Sequence, residues 1–269
     1  MFLEYWGLLK EPFVNVPDPE FLFPSAQHEE ALTRLMYIIQ GRRGAAVLSG
    51  DIGCGKTLVS RTLVRELSPQ RYDAALVTSP ILPPEEFLRE IVYQFEGEKG
   101  DGHSRQKVDS LHAINHRMMT NYKAGKDTIV IVDEAHLVMD NKAILEELRL
   151  LLNFQLNDRF LLTLILIGQL DLEEKIKQVP ALDQRIAIKF RLRALTRQET
   201  VQYISFRTTK AGAKRELFST GAAREIYYLA EGIPRRINTI CDLCLLVGFE
   251  EKAPFIDKTI VETALVKGG

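Results

Sequence analysis

A glycine-rich octet, GDIGCGKT from Gly50 to Thr57, matches the spacing G-x-x-x-x-G-K-[ST]. The apolar run 45–49 before it predicts a strand, and the pattern 56–67 after it predicts a helix. In that context backbone N–H groups can curl around phosphate oxygens, and the helix start favours negative charge. Lys56 would then contact β- and γ-phosphates, while the Thr57 hydroxyl would bind Mg²⁺. The alternative is a glycine-rich turn that merely carries Lys-Thr.

Cys54 lies in the middle of this predicted phosphate-binding loop and carries a thiol. A helix N-terminus can lower a thiol pKa, so a redox role is one interpretation of Cys54. A small residue tolerated at a variable position is the interpretation that the sequence favours. The predicted nucleotide-binding residues of the segment are Gly50, Asp51, Ile52, Gly53, Cys54, Gly55, Lys56, Thr57 and Leu58.

A second motif, TIVIVDE at 128–134, is a hydrophobic strand that ends in two carboxylates. Strand ends in open α/β folds are where ligands bind. Asp133 would hold Mg²⁺ through water, and Glu134 would orient and polarise the water that attacks a γ-phosphate. The alternative is a strand followed by an acidic helix cap.

Three further patterns carry weaker signals. His136 follows the acidic pair. It could sense the nucleotide state or a partner, and the alternative is a histidine partly buried beside the site. Cys241 and Cys244 form a C-x-x-C within a helical pattern, for which core packing is favoured over zinc or redox chemistry. His112 and His116 are four residues apart, without the Glu and third ligand of a metal-binding helix.

The elements that must position these residues alternate between strand and helix. Alternation of this kind predicts a parallel sheet with helices on both faces. Strands are predicted at 45–49, 74–79, 128–133, 161–168 and 185–190, and helices at 25–40, 56–67, 84–96, 105–124 and 141–154. The loop 97–104 is predicted to be flexible.

The pattern changes near Leu195, after which only helices are predicted. Thr196 to Glu199 forms a capping box, and further helices are predicted at 219–231, 234–249 and 257–266. The predicted domains are an N-terminal strap (1–24), an α/β body (25–195) and a smaller helical domain (196–269).

Composition excludes several protein classes. The chain of 269 residues is 46% apolar and 26% charged with a net charge of −1, which excludes a disordered chain, a collagen-like fibre and whole-surface binding of nucleic acid. The apolar run 161–167 is too short to span a bilayer, and the first residues lack the pattern of a signal peptide. Three cysteines fit a reducing compartment, so a cytoplasmic location is predicted.

The phosphate loop, the Asp133–Glu134 strand end and the helical C-terminal part together resemble the AAA+ ATPases. The resemblance implies a P-loop NTPase sheet with an all-helical lid, ATP and Mg²⁺ as ligands, and an oligomer. It assigns Gln169 to contact the γ-phosphate or the water, and the alternative is a turn residue. It assigns Arg185 as an arginine finger for a neighbouring subunit and Arg235, in GIPRRIN, as the second sensor. Their alternatives are an ordinary surface arginine and a solvated basic helix start.

The N-terminal strap narrows the match to the ExeA/GspA ATPase family. This resemblance rests on several short motifs. They are YWGL at 5–8, PF at 12–13, PDP-x-FLF at 17–23, GQ-x-x-L at 168–172, QRI at 184–186 and G-x-P-R-x-I-N at 232–238. The resemblance implies work in envelope assembly, including type II secretion and type IV pilus systems, and a position at the inner face of the membrane through partners. Longer members continue into a membrane span and a peptidoglycan-binding domain, which are not carried over. By the same resemblance Pro12 and Phe13 would cover the adenine. The alternative is that they only pack the strap onto the sheet, and both can hold together.

The stretch from Arg185 to Arg215 holds nine basic residues and one acidic residue. It could line the nucleotide cleft, bind DNA or acidic lipid, or form a solvated surface. The sequence therefore predicts a Mg²⁺-dependent AAA+ ATPase that acts with an envelope-assembly partner. A DNA-binding ATPase of the transposition-regulator type and a nucleotide-gated scaffold with little turnover are the alternatives.

Overall fold

The computed structural model describes residues 2–97, 106–156 and 159–268. Contacts divide the chain into two units. The sheet unit comprises Gln27–Asp51 and Lys56–Leu192, and the helical unit comprises Met1–Ala26, Ile52–Gly55 and Arg193–Gly269. Most of the loop predicted to be flexible, residues 98–104, lies outside the described residues.

The sheet unit is built on five parallel strands in the order β2-β3-β4-β1-β5. The strands are β1 (Ala45–Gly50), β2 (Tyr72–Val77), β3 (Asp127–Val132), β4 (Leu162–Gly168) and β5 (Ile186–Leu192). Every residue of β1, β3 and β4 is buried, which explains why these strands are continuous apolar runs without alternation. The register places Ser49 beside Gly168 and Val132 beside Leu166, so three strands end at one edge.

Most helices lie where the sequence predicts them, within about three residues at each end, whereas three short helices at 2–6, 171–177 and 180–183 are not among the predicted ones. In chain order they are α1 (Phe2–Trp6), α2 (Ala26–Gly41), α3 (Lys56–Glu66), α4 (Pro84–Glu96), α5 (Lys107–Lys123), α6 (Lys142–Leu151), α7 (Asp171–Lys177), α8 (Pro180–Asp183), α9 (Arg197–Lys210), α10 (Thr220–Ala230), α11 (Pro234–Glu250) and α12 (Lys258–Gly268). Side chains of α4, α5 and α6 form one buried cluster with the strands. The predicted fold class is therefore confirmed.

The helical unit has a core of its own, built from α9 to α12 together with the start of the chain. The indole of Trp6 is buried and donates to the carbonyl of Leu245 at 3.0 Å. A Cβ atom at Gly248 would lie 3.0 Å from the same indole, so only glycine admits this close approach. The capping box predicted at Thr196–Glu199 is present at the start of α9.

Two local predictions are corrected by the structure. No helix is predicted in the N-terminal strap, but its first residues form α1 and bury Trp6. The helix predicted to end at residue 154 ends at Leu151, because Gln155 and Phe160 form an antiparallel bridge that turns the chain back. Among the described residues, no helix combines the length and apolar character needed to cross a membrane.

Candidate active site

The phosphate loop connects β1 to α3, as the sequence predicts. Gly53 and Gly55 have φ angles of +85° and +98°, in the region that side chains rarely adopt. A Cβ atom at Gly50 would lie 2.8 Å from the carbonyl oxygen of Leu192. The glycines of the motif are therefore required by backbone conformation and by close approach.

The ammonium group of Lys56 lies against the backbone of this loop. Its Nζ atom donates to the carbonyl of Gly50 at 3.0 Å and to that of Asp51 at 2.9 Å. The side chain is buried at 6% exposure, a rare state for lysine unless its charge is bonded. The loop thus holds a positive charge among its own peptide groups, where an anion would be stabilised.

Asp133 follows β3 and is held in place by three contacts. Its backbone N–H bonds to Val77, its Oδ1 accepts the N–H of Glu134 at 2.9 Å, and its Oδ2 lies 3.3 Å from the hydroxyl of Ser60. The same hydroxyl lies 2.9 Å from the carbonyl oxygen of Thr57, so its single proton is shared between these two acceptors. One hydroxyl on α3 therefore links the carboxylate to the end of the phosphate loop.

Glu134 adopts the left-handed conformation, with φ 51° and ψ 33°. Non-glycine residues take this conformation at a cost and often at functional sites. Its side chain is 39% exposed, and its Oε2 lies 3.5 Å from Nδ1 of His136. The strained backbone thus carries a partly exposed carboxylate next to the buried Asp133.

His136 is buried and lies between two of the predicted site residues. Its Nδ1 accepts the backbone N–H of Gln169 at 3.4 Å and also faces Glu134. A Cβ atom at Gly168 would lie 3.2 Å from this nitrogen, so the ring packs directly on the end of β4. The buried interpretation of His136 is the one that the structure shows.

Lys175, on α7, fixes the segment that follows the acidic pair. Its Nζ donates to the carbonyl of His136 at 3.1 Å and to Asp140 at 2.8 Å, and lies 3.3 Å from Asp171. The bond to Asp140 raises the pKa of Lys175. Sequence reasoning missed both Lys175 and Ser60. The sequence could have indicated Ser60, because this residue lies one helical turn after Thr57.

Arg185 lies just before β5 and is partly exposed. Its guanidinium donates to the carbonyl of Ala181 and, at 2.8 Å, to Oδ1 of Asn153. Both contacts are within the sheet unit. The side chain is therefore held in a defined position.

The helical unit carries the other predicted site residues. Arg235 is exposed in the first turn of α11, and its neighbour Arg236 pairs with Glu231 at 2.6 Å. Phe13 is buried, and its ring meets that of Phe218 at 5.7 Å in a T-shaped contact. Phe13 therefore packs in the core of the helical unit, and its contact with adenine stays a prediction.

The two residue pairs whose spacing resembles that of metal ligands lie in different environments. Cys241 and Cys244 are fully buried, and burial raises the pKa of both thiols, to about 12 for Cys244. His112 and His116 are exposed on α5. Among the residues with described positions, no group of three His, Cys, Asp or Glu side chains is arranged to hold a metal ion.

Part of the chain matches a known protein family. Residues 39–176, which include the phosphate loop, the acidic pair and Gln169, match the AAA domain family. The chain belongs to the AAA family. The AAA membership inferred from the motifs is confirmed.

A relative of this AAA chain is the General secretion pathway protein A of Aeromonas hydrophila. The two sequences are 35% identical over 251 residues, which cover 93% of this chain and 45% of the relative. The resemblance to the ExeA/GspA family is thereby confirmed. The AAA chain spans less than half the length of this relative.

Solved structures share the fold of the AAA chain at low sequence identity. The ADP form of the Aeropyrum pernix ORC2 protein has a TM-score of 0.74, with 16% identity over 97% of this chain and 73% of that one. The RuvB Holliday junction branch migration motor of Thermotoga maritima has a TM-score of 0.59, with 18% identity over 88% and 68%. At these identities the likeness shows the fold alone.

Proposed function

We propose that this AAA chain is a Mg²⁺-dependent ATPase. The observation that carries the proposal is the link through Ser60, whose hydroxyl contacts Oδ2 of Asp133 and the carbonyl of Thr57. This link joins the end of the phosphate loop to the acidic strand end. The geometry supports hydrolysis, in which water attacks the γ-phosphorus and the bond to the β-phosphate oxygen breaks, so that ADP leaves.

The chain's own residues divide this work by position. Lys56 and the backbone of residues 50–58 would bind the phosphates, and Glu134 would accept the proton of the attacking water. Gln169, at the end of β4, would contact the γ-phosphate or that water. Arg235 and a neighbouring subunit's Arg185 would stabilise charge on the transferring group. These last roles, like an adenine contact at Pro12 and Phe13, rest on the family resemblance.

The oxygen groups beside the phosphate loop fit magnesium. Asp133 is buried at 2% exposure with both carboxylate oxygens in hydrogen-bond range of donors, and the Thr57 hydroxyl lies at the start of α3. Carboxylate and hydroxyl oxygens are the donor set that Mg²⁺ uses beside nucleotide phosphates. When bound, the ion would neutralise developing charge on the phosphates.

The proposed biological role is the assembly or remodelling of a secretion or pilus complex in the cell envelope. Its support is the relative named General secretion pathway protein A. We propose that the chain acts as a homo-oligomer in the cytoplasm, with an envelope protein as its partner.

DNA binding is the competing role, and its support is the basic stretch at 185–215. Some basic residues of that stretch are buried or ion-paired. Arg207 is buried, and Lys189 pairs with Asp183. Arg215 donates to the carbonyl of Pro254, and Arg185 is held as described above. Arg207 and Lys189 therefore add little to an exposed basic patch, whereas Arg215 remains exposed and keeps its charge at the surface.

One experiment separates these roles: ATP hydrolysis measured against protein concentration, with and without double-stranded DNA at fixed salt. An oligomeric envelope ATPase predicts specific activity that rises with concentration and ignores DNA. Stimulation by DNA that declines with added salt would favour the DNA-binding role. Negligible turnover throughout would leave the nucleotide-gated scaffold.

A further inference from the structure

Arg207 is a buried cation that holds the N-terminal segment of the chain. Its exposure is 5%, and its guanidinium donates to the carbonyls of Pro12 and Val14. The same group lies 4.5 Å from the ring centre of Phe21. Burial lowers its pKa from the ordinary value, although Tyr203 and Asp18 oppose the effect. A charge is buried here at a cost, and it fixes the path of residues 12–14.

A chain of hydrogen bonds continues from the neighbour of Arg207 to α11. The phenol of Tyr203 donates to Oδ1 of Asn238 at 2.8 Å, and Asn238 Nδ2 donates to Oδ1 of Asn15 at 3.0 Å. Asn15 Nδ2 then donates to the Thr239 hydroxyl at 3.2 Å, which donates to the carbonyl of Arg235 at 3.1 Å. Every donor meets an acceptor, so the chain has one consistent direction.

The first turn of α11 is also bound on its other side. The backbone N–H of Arg235 donates to the carbonyl of Gly53 at 3.3 Å. A Cβ atom at Gly53 would lie 2.8 Å from Cβ of Arg235, so the two backbones are in close contact. Gly53 belongs to the helical unit by its contacts. The backbone of Arg235 is therefore held between Gly53, in the middle of the phosphate loop, and Asn15, which acts through the Thr239 hydroxyl in the next turn of α11.

We propose that Arg207 and Asn238 are positioning residues for the ATPase reaction. Through the hydrogen-bonded chain they fix residues 12–15 against the first turn of α11, and thereby set the position of Arg235 relative to Gly53. This inference rests on the proposed ATPase function. Arg207 and Asn238 would act on the reaction through Arg235, without contacting the nucleotide themselves.

The network is more specific than core packing requires. Tyr203 is buried, and burial raises its pKa, so the phenol keeps the proton that it donates to Asn238. Asn238 is 5% exposed and uses both ends of its amide. An apolar residue of similar volume could fill the same space, but it could not transmit the position of Asn15 to Arg235.

A double-mutant cycle tests the proposal. Asn238→Ala, Arg235→Ala and the double variant are compared in steady-state ATP hydrolysis, together with ATP binding. If Asn238 acts through Arg235, Asn238→Ala lowers kcat about tenfold, the effect of losing one to two neutral hydrogen bonds. In the Arg235→Ala background the same change then has almost no further effect. Arg207→Met should behave like Asn238→Ala, with partial rescue in Arg207→Lys.

Controls separate positioning from loss of folding. Arg224, exposed on α10, provides a matched arginine, and Arg224→Ala should leave kcat unchanged. Thermal unfolding of each variant shows whether the helical unit remains folded. Multiplicative effects of Asn238→Ala and Arg235→Ala in folded chains would overturn the positioning role while leaving the ATPase intact. No turnover by the unaltered chain would overturn the ATPase proposal and this inference with it.

Discussion

Nδ1 of His136 lies 3.5 Å from Oε2 of Glu134 and accepts the backbone N–H of Gln169. One buried imidazole therefore contacts two residues that approach the predicted reaction centre from different strands. The bond from Gln169 requires a lone pair on Nδ1, so the neutral ring with its proton on Nε2 satisfies this geometry. With the proton placed there, the 3.5 Å contact between His136 and Glu134 is not an ion pair.

Glu134→Gln should retain ATP binding and lose hydrolysis. The amide keeps the size of the side chain but accepts no proton, and general-base catalysis contributes about 10²–10⁴-fold to such reactions. Equilibrium binding and single-turnover hydrolysis measure the two effects separately. Hydrolysis at the normal rate would remove Glu134 from the mechanism.

Gly53→Ala should weaken ATP binding by tenfold or more. The added Cβ would lie 2.8 Å from Cβ of Arg235, and the φ of +85° disfavours any side chain. Gly221→Ala is the matched control. Gly221 lies in α10, where an added Cβ meets only the Ser219 hydroxyl at 3.8 Å. Alanine there should keep ATP binding and stabilise the helix by up to about 1 kcal/mol. Equal ATP affinity in both variants would show that the loop tolerates the clash.

Arg185→Ala should lower turnover about 10³-fold or more without weakening ATP binding, because arginine fingers act on the transition state. A finger acting in trans predicts complementation. Mixing Arg185→Ala with Lys56→Ala chains should restore part of the activity, since the first supplies an intact phosphate loop and the second supplies the finger. The Arg224→Ala chain replaces Arg185→Ala in the control mixture. Absence of recovery, with activity independent of concentration, would indicate a structural role beside Asn153.

The buried thiols predict a loss of stability at alkaline pH. Cys244 has an ordinary pKa of 9.0 that burial raises to about 12, and the pKa of Cys241 is also raised. Above pH 9 the unfolded chain releases thiol protons that the folded chain retains. The stabilisation is therefore complete below pH 9 and is lost as pH rises towards 12. Denaturant unfolding at several pH values measures this trend, and Cys244→Ala should flatten it. A Cys244→Ala curve as steep as that of the unaltered chain would contradict the assignment.

The sheet and the loop chemistry were predictable because they are encoded locally. Runs such as 128–132 are apolar without alternation, and burial on both faces of β3 explains this. The motif around Lys56 was recognisable because its glycines meet backbone requirements within a few residues. Strand ends in a parallel sheet then place Asp133 and Gln169 at one edge.

The network around Arg207 was not predictable from the sequence. Composition placed Arg207 in a basic stretch, whereas its partners Pro12 and Val14 lie more than 190 positions away in the chain. No local period indicates such a contact. The same limit applies to Lys175, whose partners His136 and Asp140 come from a distant turn.

The proposed ATPase activity of this chain depends on ATP binding by the loop around Lys56. The most direct measurement is ATP binding and turnover with Mg²⁺ in three chains: the unaltered protein, Lys56→Ala and the exposed control Lys142→Ala. Lys56→Ala alone should lose binding or turnover, while all three chains unfold at similar temperatures. Kinetics and binding unchanged by Lys56→Ala would contradict it.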